Sequence, residues 1–195
     1  MPATFGYGEK VIGLDTLRVC TFNASSGAQG TPEQVPEANK LTMKRVLESD
    51  ETKANLLTTS FASFPRHYTF ELNWAGLSFA VMEILLGPLF VQAPESGTTP
   101  NRTRVAYNRG GLLLPYFSVA GYSLGEDASG LIQGLWKCKL EEAEDSMAED
   151  GKYMLSNTKG RALAYFNGTN WDFGPMKRLE TGAAFDNTAF QALFA

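Results

Sequence analysis

The stretch RHYTFELNWAGLSFAVMEILLGP, residues 66–88, constrains the fold of this chain more than any other. Over residues 66–74 apolar and polar side chains alternate, which is the period of a β-strand with one apolar face. Over residues 77–86 the apolar side chains recur at helical spacing, and Gly87 with the proline after it is a typical stop signal. The sequence therefore predicts a half-buried strand that leads almost directly into a short helix, with their apolar sides packed together.

The composition is that of an ordinary globular protein, because 44% of the residues are apolar and 19% are charged. A chain of this length buries roughly 70% of its unfolded surface, so one core is sufficient. We expect a single domain over residues 1–195, with an N-terminal arm (1–10), long loops (23–39 and 89–111) and a C-terminal tail (about 172–195).

The segments on the N-terminal side of the helix are predicted to form a meander. Segments 41–48 and 54–61 flank the polar sequence SDET, which is typical of a hairpin connection. The strand 66–74 would then be the third member of an antiparallel meander.

Strands resume after the second long loop. We expect them in 113–124 and 131–141, and as a pair of segments around Lys159-Gly160 within 153–166, with the acidic run 141–151 as a solvated connection. The whole pattern predicts a mainly β protein, an antiparallel sandwich or barrel with one flanking helix.

Charge and hydropathy exclude two classes of partner. The net charge is -4 and the pI is about 5.1, so the chain lacks the basic character of proteins that hold nucleic acid. No apolar run approaches the roughly 18 residues of a membrane helix. The first residues lack the charged and apolar regions of a signal peptide, so we expect a reducing, cytoplasmic origin and no membrane partner.

Signatures of catalysis are thin. His67 is the single histidine, so a histidine-rich metal site is impossible, and a Ser-His or Cys-His dyad would depend on this residue. Cys20 and Cys138 lack metal or redox spacing and are expected to be buried as small apolar residues. We therefore expect no enzyme activity, no catalytic residues, no cofactor and no metal site.

The C-terminal sequence DNTAFQALFA predicts a last short helix. Asp186 or Asn187 could cap it, and the helix would align Phe190 with Leu193 and Phe194. So short a helix is marginal in water unless it docks on a surface. Docking on its own domain and docking on a neighbouring subunit both remain open at this stage.

Two blocks of the sequence carry a family resemblance. The first is YTFELNWAGLSFAVMEILLG with the long loop after it; the second is LPYFSVAGYSL, a turn, and GLWKCKLEEAEDSMAEDGKYMLSNTKGRALAY. Over residues 41–87 and 111–166 this order of features resembles the major tail tube proteins of long-tailed, siphovirus-like bacteriophages. The resemblance implies a small β-sandwich that assembles into hexameric rings, which stack into the tube through which DNA leaves the head.

The same resemblance implies the partners and the location of the chain. The partners would be further copies of the chain, the tape measure, terminator and distal tail proteins, and double-stranded DNA in non-specific passage. The chain would be assembled in the cytoplasm of a bacterial host and reside in the virion tail. Two alternatives remain open: a related tail terminator or connector, and a monomeric β-barrel that binds a small apolar ligand.

Elementary geometry favours pooling of strands. A single chain with seven or eight strands closes around side chains or one small ligand, and only strands from several copies enclose a bore wide enough for a duplex. Pooling also removes exposed strand edges, because each edge meets its neighbour around a ring.

In the tube interpretation, the polar face of the strand 66–74 is a candidate for the bore. Carboxylates and small polar groups keep a duplex mobile, whereas each free Lys or Arg adds affinity for phosphate. We expect Lys44 either to face a carboxylate or to lie off the bore, and exposure of the whole face to solvent is the alternative. The lumen-facing candidates are Glu48, Asp50, Thr69, Glu71 and Asn73.

Contacts between rings or subunits are expected from the second long loop, the acidic run and the C-terminus. The loop supplies arginines that could reach acidic residues of the next ring, and the C-terminal helix supplies apolar side chains. The candidates are Arg102, Arg104 and Arg109, then Glu141, Glu142, Glu144 and Asp145, and finally Phe190, Leu193 and Phe194.

Overall fold

The computed structural model describes the backbone of residues 11–54, 57–75, 78–93, 97, 106–108, 110, 113–125, 129–147, 153–179 and 184–194. Side chains are described for all of these except 11, 12, 50–54, 57–62, 106–108, 125, 144–147, 153–157 and 179. The strands are β1 (Val11–Thr21), β2 (Glu33–Gln34), β3 (Ala38–Ala54), β4 (Leu57–Ala75), β5 (Phe90–Gln92), β6 (Ala106–Asn108), β7 (Phe117–Gly125), β8 (Gly130–Met147), β9 (Tyr153–Ala162), β10 (Tyr165–Phe166), β11 (Trp171–Asp172) and β12 (Met176–Leu179). The α-helices are α1 (Phe79–Leu86) and α2 (Asn187–Leu193), and a 3₁₀ turn (Gly87–Leu89) follows α1.

One antiparallel sheet organises the fold, in the order β2-β1-β7-β8-β9-β4-β3, with β12 as an eighth strand beside β8. The long strand β8 changes partners along its length: β7 pairs with it up to Cys138, and β9 pairs with it from Cys138 onward. A β-bulge marks the change, because Lys137 has a φ of 43° and the register with β7 shifts there. We call β2-β1-β7-β8 the first half of the sheet and β8-β9-β4-β3 the second half.

The main core lies between the two halves, as in a sandwich. Phe70 of β4 and Phe117 of β7 meet edge to face, with ring centroids 5.7 Å apart. Both belong to one apolar cluster that also contains Leu17 and Val19 of β1. The described strands β1 and β3 are not hydrogen-bonded to each other, so the sheet curls without closing into a barrel. The predicted mainly β, antiparallel class is confirmed.

Helix α1 covers one part of this core. Its Val81 and Leu85 are buried in the same cluster as Leu72 and Trp74 of β4, which confirms the predicted packing of strand against helix. The side chain of Ser78 caps the helix by accepting a hydrogen bond from the backbone N–H of Val81.

Glycine is required where α1 ends. Gly87 has a φ of 53°, in the left-handed region that favours glycine. A Cβ at this position would also lie 2.8 Å from the ring of Pro115. The stop signal in the sequence therefore has both a conformational and a packing basis.

Helix α2 forms a second, smaller core on the outer face of the first half. Phe190 is fully buried there with Ile132 of β8 and Tyr122 of β7. Arg18 of β1 reaches across and donates from Nε to the carbonyl oxygen of Phe185 at 3.2 Å and from Nη1 to Oδ1 of Asn187.

Strand boundaries differ from the sequence prediction in several places. Strand β2 lies within the predicted loop 23–39, and strands β5 and β6 lie within the predicted loop 89–111. The sequence SDET lies inside β3, and a single hairpin of β3 and β4 replaces the predicted three-stranded meander. Residues 141–147 belong to β8 rather than to a loop, and Lys159-Gly160 lies inside the continuous strand β9. Backbone pairing accepts polar side chains on an exposed face, so a polar run is an ambiguous turn signal.

Candidate functional site

The second half of the sheet has a polar outer face, opposite to the core. Strand register places its members side by side, because Thr42, Glu71 and Lys159 lie in one row across β3, β4 and β9, and Lys44, Thr69 and Arg161 in the next. We call this surface the polar face; it consists of Lys40, Thr42, Lys44, Thr69, Glu71, Asn73, Glu141, Glu142, Lys159 and Arg161.

Three cations of the polar face are each paired with a carboxylate from a neighbouring strand. The side chains are 29–67% exposed, so each pair contributes at most about 1 kcal/mol to stability. Their main effect is therefore local charge neutralisation. The pairs are Lys40 Nζ with Glu71 Oε1 at 3.2 Å, Lys159 Nζ with Glu142 Oε2 at 3.3 Å, and Arg161 Nε with Glu141 Oε1 at 2.8 Å.

The candidates for the bore fall into two groups. Thr69, Glu71 and Asn73 share the polar face, as their alternation along β4 predicts. Glu48 lies on β3 beyond the register shift between Val46 and Leu47, and its Oε1 is 3.6 Å from Nη1 of Arg66. The last candidate for the bore, Asp50, also lies in β3, but its side chain is outside the described part of the chain.

Lys44 lies on the polar face rather than away from it. It lines a shallow groove of about 320 Å³ together with Glu71 and Glu142. Its backbone carbonyl accepts a hydrogen bond from Thr69 Oγ1 at 3.5 Å. Within the described residues no carboxylate forms an ion pair with its ammonium group, so the expected facing carboxylate is only a neighbour in the groove.

The sequence prediction missed the cations that complete this surface, Lys40, Lys159 and Arg161. Lys159 and Arg161 alternate around Gly160, which is the period-two signal of a strand face. The prediction of two strand segments around Lys159-Gly160 obscured that signal.

The charged candidates for ring contacts are only partly visible. Arg102, Arg104 and Arg109 lie outside the described residues. Glu141 and Glu142 are engaged with cations of their own chain, so a contact with another ring would have to displace those partners. The remaining two candidates, Glu144 and Asp145, lie in β8, where their backbones pair with β9. Their side chains are outside the described part of the chain.

The apolar C-terminal candidates pack on their own chain. Phe190 is 0% exposed and Leu193 is 7% exposed in the second core. Phe194 is half-buried, with its ring centroid 6.0 Å from that of Trp136. The sequence left open whether the C-terminal helix docks on its own domain or on a neighbouring subunit, and in the structure α2 docks on its own domain. This corrects the assignment of Phe190 and Leu193 to a subunit contact, because neither has surface left to offer.

The second half of the sheet has an open edge on each side. Among the described strands, β3 pairs only with β4 and leaves its other edge unpaired along Ala38–Ala54. Beyond Cys138, β8 pairs with β9 but has no described partner on the side where β7 ended. Each edge exposes backbone N–H and C=O groups that can pair with a further strand.

An open cleft of about 480 Å³ lies between β1, β3, β7 and β8, lined by Leu14, Leu41 and Met43 among others, whereas the enclosed core holds no comparable space among the described residues. The gap bordered by Trp74, Leu85 and Leu140 is about 20 Å³, which is far below the several hundred Å³ of a small-molecule site. Within the described ranges, no three or more His, Cys, Asp or Glu side chains converge on a possible metal position. No described helix has both the length and the apolar character needed to cross a membrane.

Both cysteines are buried and unpaired. Burial raises the pKa of Cys20 to about 11, although hydrogen bonds from Ser118 and Gly30 partly oppose the shift. Burial also raises the pKa of Cys138 well above its ordinary value. Both thiols are therefore protonated at neutral pH and serve as small apolar groups, as the sequence predicts.

No protein-family model matches the chain, and a comparison with curated proteins finds no match either.

Proposed function

We propose that this chain is a structural subunit that forms hexameric rings, and that the rings stack into the tail tube of a bacteriophage, the channel for DNA ejection. One observation carries the proposal: among the described strands, a four-stranded half-sheet has an open edge on each side and a polar outer face. The resemblance of two sequence blocks to tail tube proteins points in the same direction.

The open edges favour assembly in one particular manner. The edge of β3 differs from that of β8, so a contact between them joins unlike surfaces of two copies. Contacts of this heterologous kind generate closed rings when the rotation between copies closes. In this arrangement β3 of each subunit continues the sheet of the next subunit at β8, and no edge of the half-sheet remains exposed.

The width of the resulting barrel suits a duplex. Barrels of about 16–18 strands already leave an aqueous channel. Four strands from each of six copies would give about 24 strands, and hence a still wider bore. The main core occupies the inner side of the half-sheet, so the polar face is the side that would line this bore.

The alternative of a monomeric barrel that binds a small apolar ligand would have to use the open cleft of about 480 Å³ between β1, β3, β7 and β8. The enclosed gap bordered by Trp74, Leu85 and Leu140 is about 20 Å³ and admits no more than a water molecule. A monomer with a small apolar molecule bound in the cleft would favour this alternative over the tube. A tail terminator or connector would share the fold and the ring, and differs in that its rings do not stack. Images of the assemblies therefore separate the two virion roles.

The remaining parts of the proposal follow from the tail tube role. The partners are other copies of the chain, with tape measure, terminator and distal tail proteins at the tube's interior and ends. Double-stranded DNA is a transient, non-specific passenger, and the chain resides in the virion tail. Arg102, Arg104 and Arg109 stay candidates for contacts between rings.

The proposal is tested by blocking the edge of β3. Successive backbone N–H groups of an edge strand point alternately toward its partner and outward. Of the single variants Lys44→Pro and Arg45→Pro, one therefore removes a bond to β4 and the other removes an outward donor. Both side chains are exposed, and Arg45→Pro also removes the hydrogen bond from Arg45 Nε to the Tyr68 hydroxyl, which Arg45→Ala measures separately.

The expected result separates the two variants. One of them should keep most of its thermal stability but remain monomeric in sedimentation velocity, under conditions where the original chain forms rings. The other should mainly lose stability. If the variant that stays folded forms rings as readily as the original chain, the edge of β3 is not the assembly surface.

A further inference from the structure

The polar face carries four basic side chains, enough to contact several phosphates if their charges were free. Four cations, Lys40, Lys44, Lys159 and Arg161, lie on β3 and β9 around the single strand β4. Such a basic surface on one sheet face is the usual electrostatic footprint of a protein that binds the nucleic acid backbone. The net charge of the chain hides this local concentration.

Three carboxylates oppose those cations from adjacent strands. Glu71 is 3.2 Å from Lys40, Glu142 is 3.3 Å from Lys159, and Glu141 is 2.8 Å from Arg161. A cation that is paired with a carboxylate gains little from contact with phosphate, because the carboxylate repels the phosphate. The polar face therefore presents an excess of one positive charge instead of four.

We propose that Glu71, Glu141 and Glu142 mask a latent binding surface for the phosphate backbone of duplex nucleic acid. The inference deepens the proposed function and depends on it only for its biological meaning, which is passage of DNA without retention. The mask itself is a property of one subunit. It can be tested whether or not the chain forms rings.

The groove between the strands makes the latent surface accessible. Lys44, Lys159 and the three carboxylates Glu71, Glu141 and Glu142 line one open depression of about 320 Å³. The paired side chains are 29–67% exposed, so a bulky polyanion can reach their charged ends. Replacement of the carboxylates by amides preserves the shape of the side chain and one acceptor oxygen, and it removes the negative charge.

The test is the triple variant E71Q/E141Q/E142Q with a fluorescent DNA duplex of arbitrary sequence, measured by anisotropy between 50 and 200 mM NaCl. Each added phosphate contact steepens the slope of log K against log salt by about 0.9. Three unmasked cations should steepen the slope by about 2.7, so between these salt concentrations the variant loses about 40-fold more affinity than the original chain. A second duplex of unrelated sequence should bind equally well.

A matched control has the same change of net charge away from the polar face. Asp15 of β1, Glu33 of β2 and Glu83 of α1 lie on other surfaces, so D15N/E33Q/E83Q should leave the salt slope near that of the original chain. Adding K159Q and R161Q to the triple variant should reverse about two thirds of its gain. Sedimentation of every sample establishes whether monomers or rings are being compared.

The outcomes decide between the alternatives. The proposal is overturned if the triple variant and the control bind DNA alike, or if the original chain already shows the steep slope. If the triple variant folds poorly, the single variants E71Q and E142Q still test it, because each should steepen the slope by about 0.9. If the triple variant gains DNA binding but the chain forms no rings, the masked surface is supported and the tail tube proposal is rejected. If the chain forms rings but the triple variant gains no DNA binding, the tail tube proposal is supported and the masked surface is rejected.

Discussion

The docking of α2 on its own chain gives the sharpest stability prediction. Phe190 is fully buried, and its ring centroid is 4.9 Å from that of Phe194 and 6.2 Å from that of Phe185. Truncation of such a phenylalanine to alanine costs about 3–5 kcal/mol. In a domain of this size 1 kcal/mol lowers Tm by about 2–4 °C, so Phe190→Ala should lower Tm by about 6–20 °C.

The assay is thermal unfolding at a concentration where the chain is monomeric, combined with limited chymotrypsin digestion. Gln191→Ala is the matched control, because Gln191 is exposed in the same helix and should change stability by less than about 0.5 kcal/mol. Undocking should also expose the buried Phe185 to cleavage. Equal Tm values and equal cleavage rates for the two variants would refute the account of α2 as part of the chain's own core.

Three further predictions concern buried or tightly packed groups. Cys20 and Cys138 should resist a thiol reagent at pH 8 while the chain is folded and react once it is unfolded. Because burial raises the pKa of Cys20 from 9.0 to about 11, the free energy of unfolding should decline as pH rises through that interval. A Cys20→Ala variant should lack this part of the decline in alkaline unfolding curves. Gly160→Ala should cost about 1–3 kcal/mol in urea unfolding, because its Cβ would lie 2.2 Å from the carbonyl oxygen of Lys139, and unchanged stability would contradict the strand packing. Asp186→Ala removes the side chain that accepts from the N–H of Ala189 and should cost about 0.5–2 kcal/mol; an unaltered midpoint would show that this cap is dispensable.

Local spacing explains what could be predicted of the fold. The strand and helix of residues 66–88 are readable because both periods depend on neighbouring residues only. The lengths of β3 and β4 are not readable, because the polar residues of SDET fit a turn as well as an exposed strand. The position of α2 depends on Arg18, which lies 169 positions from Asn187 in the sequence and gives no local signal of the contact.

The candidate site shows the same division. Alternation along β4 places Glu71 and Asn73 on one face, and the structure agrees. The partners of that face could not be predicted, because β-bulges set the register between strands, as at the shift between Leu140 and Glu142. Pairing such as that of Glu71 with Lys40, 31 positions earlier in the sequence, therefore requires the three-dimensional structure.

Electron microscopy of the purified chain at increasing concentration tests the central claim most directly. We expect stacked rings with a bore that admits a DNA duplex, in which β3 of each subunit pairs with β8 of the next and the polar face lines the channel. A chain that stays monomeric at millimolar concentration, or rings in which both strand edges remain unpaired, would contradict the account.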